Sequence, residues 1–143
     1  MSTAAFQDIV RQRLAAWSGA VVRPGRNTDF QPPRAPWVDV DFPGAQVARA
    51  DMGADEPLWE EVGAVMIHVF VPPGTGDRVA SALADSLARH FLRWAPPAGV
   101  TITERMQGQA GPRDIEGDPE LKGRWWGVSF GLSYVYQFFD PID

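Results

Sequence analysis

The chain contains no cysteine and only two histidines among its 143 residues. Without cysteine there is neither a disulfide framework nor thiolate catalysis, which fits a reducing compartment. His68 and His90 are therefore the only candidates for imidazole metal ligands or for acid–base chemistry near neutral pH. Neither has a second histidine at ligand spacing, and no H-E-x-x-H motif occurs. The sequence predicts no metal site and no cofactor.

Basic residues and long apolar runs are also scarce. The chain has 13 Lys and Arg against 18 Asp and Glu, for a formal net charge of −5, and no basic cluster that would favour DNA binding. The longest apolar run, Val62 to Pro73, is about a dozen residues, too short for the ~20 residues of a membrane-spanning helix. Asp8, Arg11 and Arg13 interrupt the region where a signal peptide would be apolar. We expect a soluble protein with no membrane partner.

Catalytic signatures are incomplete. The segment Val71–Arg78 resembles a phosphate-binding loop in position, but it lacks the Lys-Ser/Thr pair of a P-loop and the G-x-G-x-x-G pattern. Ser129 stands in a G-x-S-x-G string, but inside an alternating strand pattern and not at the strand-to-helix turn that a nucleophilic serine of this motif needs. Asp39 and Asp41 could in principle do acid–base work, but their spacing more simply predicts the solvated side of a strand. We predict that the protein is not an enzyme. The alternative is a small-molecule site or an enzyme in the cleft beside the Pro73–Asp77 turn.

What the sequence does contain is a long alternating pattern near its end. From Trp125 to Pro141, large apolar residues alternate with small or polar ones. A period of two predicts a strand with one buried face, formed by Val128, Phe130, Leu132, Tyr134, Tyr136 and Phe138. The strand would be well beyond the usual ~5–6 residues. It is either a long central or hairpin strand, or one that pairs outside its own subunit.

Apolar periodicity and breaker residues predict the other elements. In chain order these are a helix over 3–18, a hairpin of Trp37–Phe42 and Ala45–Ala50 around Pro43-Gly44, a strand over Trp59–Val71, a helix over Asp77–Trp94, and a strand over Val100–Met106. This order predicts an α+β fold, with a mixed, mainly antiparallel sheet of about five strands and two main helices packed on one side. The length suits a single domain over residues 1–143.

Two segments have no regular pattern. Arg23–Pro36 contains four prolines, and is either a plain connector or an arm laid over a neighbouring subunit. Gln107–Arg124 reads as an 18-residue loop, a length that is usually functional or disordered in a small domain. The chain also has six tryptophans. We place Trp37, Trp59 and Trp125 at element edges, where aromatic side chains either close the core or form interfaces.

Taken in order, these features resemble a known family. They are the first helix ending in Trp17, the N-x-x-F-Q-P-P segment at Asn27–Pro33, the strand beginning Trp37-Val38-Asp39-Val40, the strand, Pro-x-Gly-x-Gly turn and Ala-rich helix of Val65–Phe91, and the aromatic strand Trp126–Phe138. The chain is similar to the tail terminator proteins of long-tailed bacteriophages, including those of prophages and phage-like gene transfer agents. Other head–tail connector or stopper proteins share this kind of pattern, so that adaptor role stays open.

The resemblance implies a structural virion assembly protein. Such a protein forms a hexameric ring that caps the tail tube, ends tail polymerisation and provides the interface to the head connector. The implied partners are copies of itself, the tail tube protein and the head–tail connector protein, with DNA passing through the lumen without specific binding. The implied location is the virion tail, assembled in the cytoplasm of the bacterial host.

On this interpretation the functional residues are interfacial. Asn27, Phe30 and Trp37 are expected to contact a neighbouring subunit. Trp59, at the edge of a strand, is also expected at a protein interface. Those expected to dock the tail tube or the connector are the charged residues of the predicted loop, Asp114, Glu116, Asp118, Glu120, Lys122 and Arg124. Ordering such a loop on binding would cost conformational entropy. We expect deletion of Ile115–Leu121 to leave the fold intact and to abolish tail capping.

Overall fold

A single mixed sheet organises the structure, a computed structural model that describes residues 2–25, 29–50, 57–113 and 125–139. The elements are α1 (Ala4–Ala15), β1 (Val21–Val22), β2 (Trp37–Arg49), β3 (Leu58–Val71), α2 (Asp77–Leu92), β4 (Val100–Arg113) and β5 (Trp125–Phe139). The five strands lie in the order β1-β2-β3-β5-β4. Only the β1–β2 pair is parallel, and the other three pairs are antiparallel. The predicted α+β fold with a mainly antiparallel sheet is confirmed.

Both helices cover the same face of the sheet, which we call the helix face. Val40, Ile67 and Phe130 point to this face from the central strands, and each is at most 1% exposed. Phe6 of α1 and Leu87 of α2 pack into the same cluster and are fully buried. Burying apolar side chains of this size contributes roughly 1.5–3 kcal/mol each. The helices are therefore held on one side of the sheet, as the sequence predicted.

The alternation of β5 is confirmed. Phe130, Leu132 and Tyr134 are at most 1% exposed on the helix face. Ser129 and Gly131 point to the opposite face, which we call the rear face, and are also buried. β5 lies between β3 and β4 and pairs with both over most of its length. It is thus the long central strand that was one of the two interpretations of its pattern.

The hairpin predicted around Pro43-Gly44 is wrong. β2 passes through both residues as one strand, with an irregularity between Asp41 and Gly44, and it pairs with β3 on both sides of that irregularity. A tight hairpin turn needs a positive φ at its glycine, and Gly44 does not adopt one. Proline is tolerated at a bulge of an outer strand. The Pro-Gly pair therefore bends the strand instead of reversing it.

Other boundaries also differ from the sequence expectations. β4 continues to Arg113, so the first part of the predicted Gln107–Arg124 loop is strand, and the rest lies outside the described residues. Pairing with β5, interrupted by two irregularities, holds this Gly- and Gln-rich stretch in the sheet, because sheet context outweighs local strand propensity. β1 was not predicted, since two residues carry no periodic signal. The helices end at Ala15 and Leu92, two to three residues before the expected positions.

The two helices are joined near their C-terminal ends. The Arg13 guanidinium donates to the His90 carbonyl oxygen from Nη2 at 2.6 Å and from Nε at 3.1 Å. His90 Nε2 donates in return to the Arg13 carbonyl oxygen at 2.7 Å. The Arg13 carbonyl oxygen also accepts from the Ala16 N–H at 3.2 Å, so the His90 bond is its second. Together the reciprocal bonds hold α1 against α2.

Candidate assembly surfaces

The proline-rich arm returns to its own sheet and packs on the rear face. The Phe30 ring lies 5.1 Å from the Trp37 ring, and the Trp37 ring lies 4.6 Å from Phe70 and 6.0 Å from Trp125. Trp37 and Trp125 are at most 1% exposed, whereas Phe30 is half-buried over them. The guanidinium of Arg23 lies 5.6 Å from the Phe30 ring. These residues form a second, small core that we call the arm cluster.

Packing in the arm cluster determines how much of the predicted contact residues is accessible. Trp37 is buried within its own subunit, and only Phe30 offers part of its side chain to solvent. Trp125 begins β5 and is fully buried in this cluster, so of the two alternatives for an edge tryptophan it closes a core. Asn27 lies outside the described residues. Nothing in the local sequence signals that the arm covers the rear face, since this depends on contacts between distant parts of the chain.

The end of the sheet where β5 finishes is apolar and extends past the start of α1. Trp59 is paired with Phe138 across the strands, and the Tyr136 and Phe138 rings stack with their centroids 5.1 Å apart. Behind them on the rear face, Val62 and Phe139 are 47% and 57% exposed. We call this end of the sheet the aromatic tip, and it consists of Trp59, Tyr136 and Phe138 on the helix face and Val62 and Phe139 on the rear face. Apolar and aromatic side chains gathered in this way are typical of the centre of a protein interface.

A buried polar network anchors α1 beside the aromatic tip. The carboxylate of Glu61, which is 0% exposed, accepts from the Tyr134 hydroxyl at 2.5 Å and from the Thr3 backbone N–H at 3.3 Å. The Ser2 hydroxyl lies 2.6 Å from the Tyr134 hydroxyl. Burial, and the hydrogen bond to Glu61, raise the pKa of Tyr134 well above its usual range. A carboxylate beside the first turn also interacts favourably with the helix dipole.

Three residues of the types found in hydrolytic triads lie side by side on the rear face. Asp39 is opposite His68, and His68 is opposite Ser129, on three adjacent strands. The His68 Nδ1 lies 2.6 Å from the Ser129 hydroxyl. A nucleophilic serine must reach its substrate, but Ser129 is 7% exposed and Asp39 is 5% exposed. The row is best described as a polar bridge across the strands, and the expectation that Asp39 is solvated is wrong.

A cleft lies between the turn before α2 and the start of β5. Its volume is 530 Å³, and it is lined by Pro72, Pro73, Gly74, Gly76, Asp77 and Trp126. The size falls in the range of roughly 300–1,000 Å³ typical of small-molecule sites. Such sites also need several polar groups that converge on the ligand. Among the described lining residues, Asp77 is the one ionisable side chain, and no set of converging polar groups accompanies it there.

The described ranges contain neither a cluster of metal ligands nor a membrane-spanning helix. There, no three His, Cys, Asp or Glu side chains gather closely enough to hold a metal ion. Neither helix of that same part of the chain has the length and apolar character needed to cross a membrane. The charged residues Asp114, Glu116, Asp118, Glu120, Lys122 and Arg124 fall outside it. Trp59, by contrast, is half-buried within the aromatic tip.

Comparison with known proteins gives the chain its family. Several solved structures share its fold, and one of them gives a TM-score of 0.62 and 22% sequence identity over 99% of each chain. No curated protein sequence matches the chain. The family model for phage tail terminator proteins matches residues 4–134, which run from the start of α1 into the second half of β5. The chain therefore belongs to the phage tail terminator protein family.

Proposed function

We propose that this protein is the subunit of a hexameric ring that caps the tail tube, stops its polymerisation and provides the interface to the head connector. The match of the tail terminator family over residues 4–134 carries this proposal. Family membership already makes the protein a structural component that completes phage tails. The ring, the stop to polymerisation and the connector interface are the finer parts of the proposal, and three structural features support them.

The open edges of the sheet support a ring. Within the described ranges, β1 covers only Trp37 and Val38 of β2, and β4 has no strand on its outer side. An unpaired edge is a template for a strand of another chain. Contacts between two different edges are head-to-tail, and they build a ring when the rotation between copies closes.

The two ends of β5 support two separate partners. The aromatic tip lies where β5 ends, whereas Arg113 and Trp125 are paired at the other end of the same strands. A strand of 15 residues separates these ends by on the order of 45 Å. We assign one end to the tail tube protein and the other to the head–tail connector. Trp59 would contribute through the tip, and the charged residues of 114–124 through the other end.

The arm cluster and the net charge support the remaining parts of the proposal. Phe30 caps the arm cluster from outside and would present the arm to a neighbouring subunit, with Trp37 as its buried support. A chain of formal net charge −5 repels phosphate groups, which suits a lumen that DNA crosses without specific binding. In this proposal the ring assembles in the bacterial cytoplasm and remains in the virion tail.

Two measurements test the proposal. Native mass spectrometry over a range of protein concentrations and ionic strengths should give a discrete hexamer. Electron microscopy of particles from host cells that lack the protein should show tails of abnormal length, and supplying the wild-type protein should restore normal tails. Tails of normal length in cells lacking the protein would overturn the capping role.

A further inference from the structure

Among residues 2–25, 29–50, 57–113 and 125–139, no strand pairs with the outer edge of β2 after its irregularity. The Ala50 N–H donates to the Leu58 carbonyl oxygen at 2.8 Å, so the peptide groups of Ala50 point towards β3. These groups alternate in direction along an antiparallel strand. The peptide groups of Val47 and Ala45 therefore point away from β3. Side chains from Ala45 to Ala48 carry no charge and no proline, the usual devices that protect an edge.

The outer edge of β4 is the second open edge. The Gln137 N–H donates to the Gly99 carbonyl oxygen at 2.9 Å, so Gly99 faces β5. By alternation, the peptide groups of Val100 and Ile102 point outwards. The Val100 N–H bonds to Pro97 at 3.1 Å, which leaves the Val100 carbonyl and both groups of Ile102 for a partner.

The two edges lie at the same level of the sheet. Val47 is opposite Glu61 on β3, and Glu61 is opposite Tyr136 on β5. Tyr136 in turn is opposite Val100 on β4. The same tracing from Ala45, through Gly63 and Tyr134, leads to Ile102. The outward-pointing residues of β2 are thus level with the outward-pointing residues of β4, with no slip by one residue.

We propose that β2 of one copy pairs with β4 of the next copy, so that the sheet continues from subunit to subunit around the ring. This inference rests on the ring proposed above and names its contact. β2 and β4 run in opposite directions, so two copies with the same orientation meet as an antiparallel pair. Such a contact is head-to-tail, and it builds a ring when the rotation between copies closes.

The side chains brought together by this pairing are compatible. On the helix face, Val47 would lie opposite Val100 and Ala45 opposite Ile102, which joins the exposed Val47 to the apolar core of the next subunit. On the rear face, exposed Gln46 would lie opposite exposed Thr101. Like pairs on each face stabilise neighbouring strands.

A cysteine pair tests the contact directly. Gln46 and Thr101 would form a non-hydrogen-bonded pair with their Cα atoms about 4.5 Å apart, within the range of roughly 4.4–6.8 Å that a disulfide spans. The chain has no cysteine of its own. Oxidised Gln46→Cys/Thr101→Cys protein should give covalent oligomers up to the ring on a non-reducing gel. Each single-cysteine variant should stay unlinked, because identical residues do not meet in a head-to-tail contact.

A proline variant gives an independent readout. Val47→Pro removes an N–H that points away from β3, so it breaks no backbone bond within the subunit. It should keep the wild-type melting temperature within a few degrees and lose the ring in native mass spectrometry. Val47→Thr, which keeps the N–H, should retain the ring.

The outcomes separate this inference from the proposed function. A wild-type hexamer in which the double-cysteine variant forms no covalent oligomers overturns the edge pairing and leaves the ring in place. Covalent dimers of the Gln46→Cys variant alone would also overturn it, because they mean that two β2 edges face each other. Normal tails without the protein would instead remove the capping role, whatever the cysteines do.

Discussion

The covered part of the sheet and the aromatic tip use the same strands for different purposes. Under the helices, Phe130 and Leu132 are at most 1% exposed. At the tip, Trp59 and Phe138 point to the same face and are only half-buried. The difference lies in the reach of α1, which begins at Ala4 beside Glu61 while the strands continue past it. Apolar alternation therefore gives stability where a helix covers the strand, and an exposed apolar surface where none does.

The largest expected effect comes from the covered part. Phe130→Ala should lower the free energy of unfolding by about 3–5 kcal/mol, because it leaves a cavity below both helices. Phe139→Ala, the matched change at the tip, should alter it by less than about 0.5 kcal/mol. Urea unfolding of the two variants measures both values. Equal losses would show that the tip is part of the folding core.

A smaller effect is expected at the boundary between the two regions. Glu61→Ala removes the acceptor of the Tyr134 hydroxyl and of the Thr3 N–H. Leaving buried donors unpaired should cost on the order of 1–3 kcal/mol. Hydrogen exchange should increase in the first turn of α1, and much less in α2. Unchanged exchange at the start of α1 would contradict the anchoring role.

The same anchor predicts a pH dependence. The pKa of Tyr134 is raised in the folded state, so between the usual tyrosine pKa of about 10 and the folded value the folded state keeps a proton that the unfolded state loses. Stability contributed by Tyr134 is complete below about pH 10 and falls as the pH rises further. Urea midpoints measured from about pH 8 to 11 should fall more steeply for the wild type than for Tyr134→Phe. Parallel curves would refute this.

The smallest change in stability, with the clearest change in assembly, is expected at the tip. Val62→Ser, at a side chain 47% exposed, should change the free energy of unfolding by less than about 0.5 kcal/mol. It should weaken the contact with the tail partner that covers the tip. The readout is tail length in host cells that produce only the variant protein. Val79→Ser, at a side chain of α2 that is 40% exposed, is the control and should leave tails normal.

Much of the fold could be predicted from the local periodicity of apolar residues. Period-two alternation identified β5 and its buried face, and the apolar stripe of α2 identified the second long helix. Both signals lie within one segment and are repeated many times. The Pro43-Gly44 pair misled because the same dipeptide suits a turn or a bulge, and only the pairing of β2 with β3 decides between them.

The candidate assembly surfaces were harder to predict from the sequence. Trp59 was predicted at an interface and lies in the aromatic tip. Its position at the start of a strand was the feature of the sequence that pointed there. The burial of Trp37 and Trp125 depends on the arm returning to the rear face, and the burial of Glu61 depends on α1 starting directly above it. Contacts between residues so far apart along the chain leave no periodic trace in the sequence.

The link between Arg13 and His90 has a mechanical consequence. Each residue donates to the backbone carbonyl of the other, so neither helix can slide along its axis without breaking bonds at both residues. α1 and α2 should therefore respond to load as one stiff plate. A torque on the subunit would then twist the ends of the strands that the two helices leave uncovered more than the part beneath the helices.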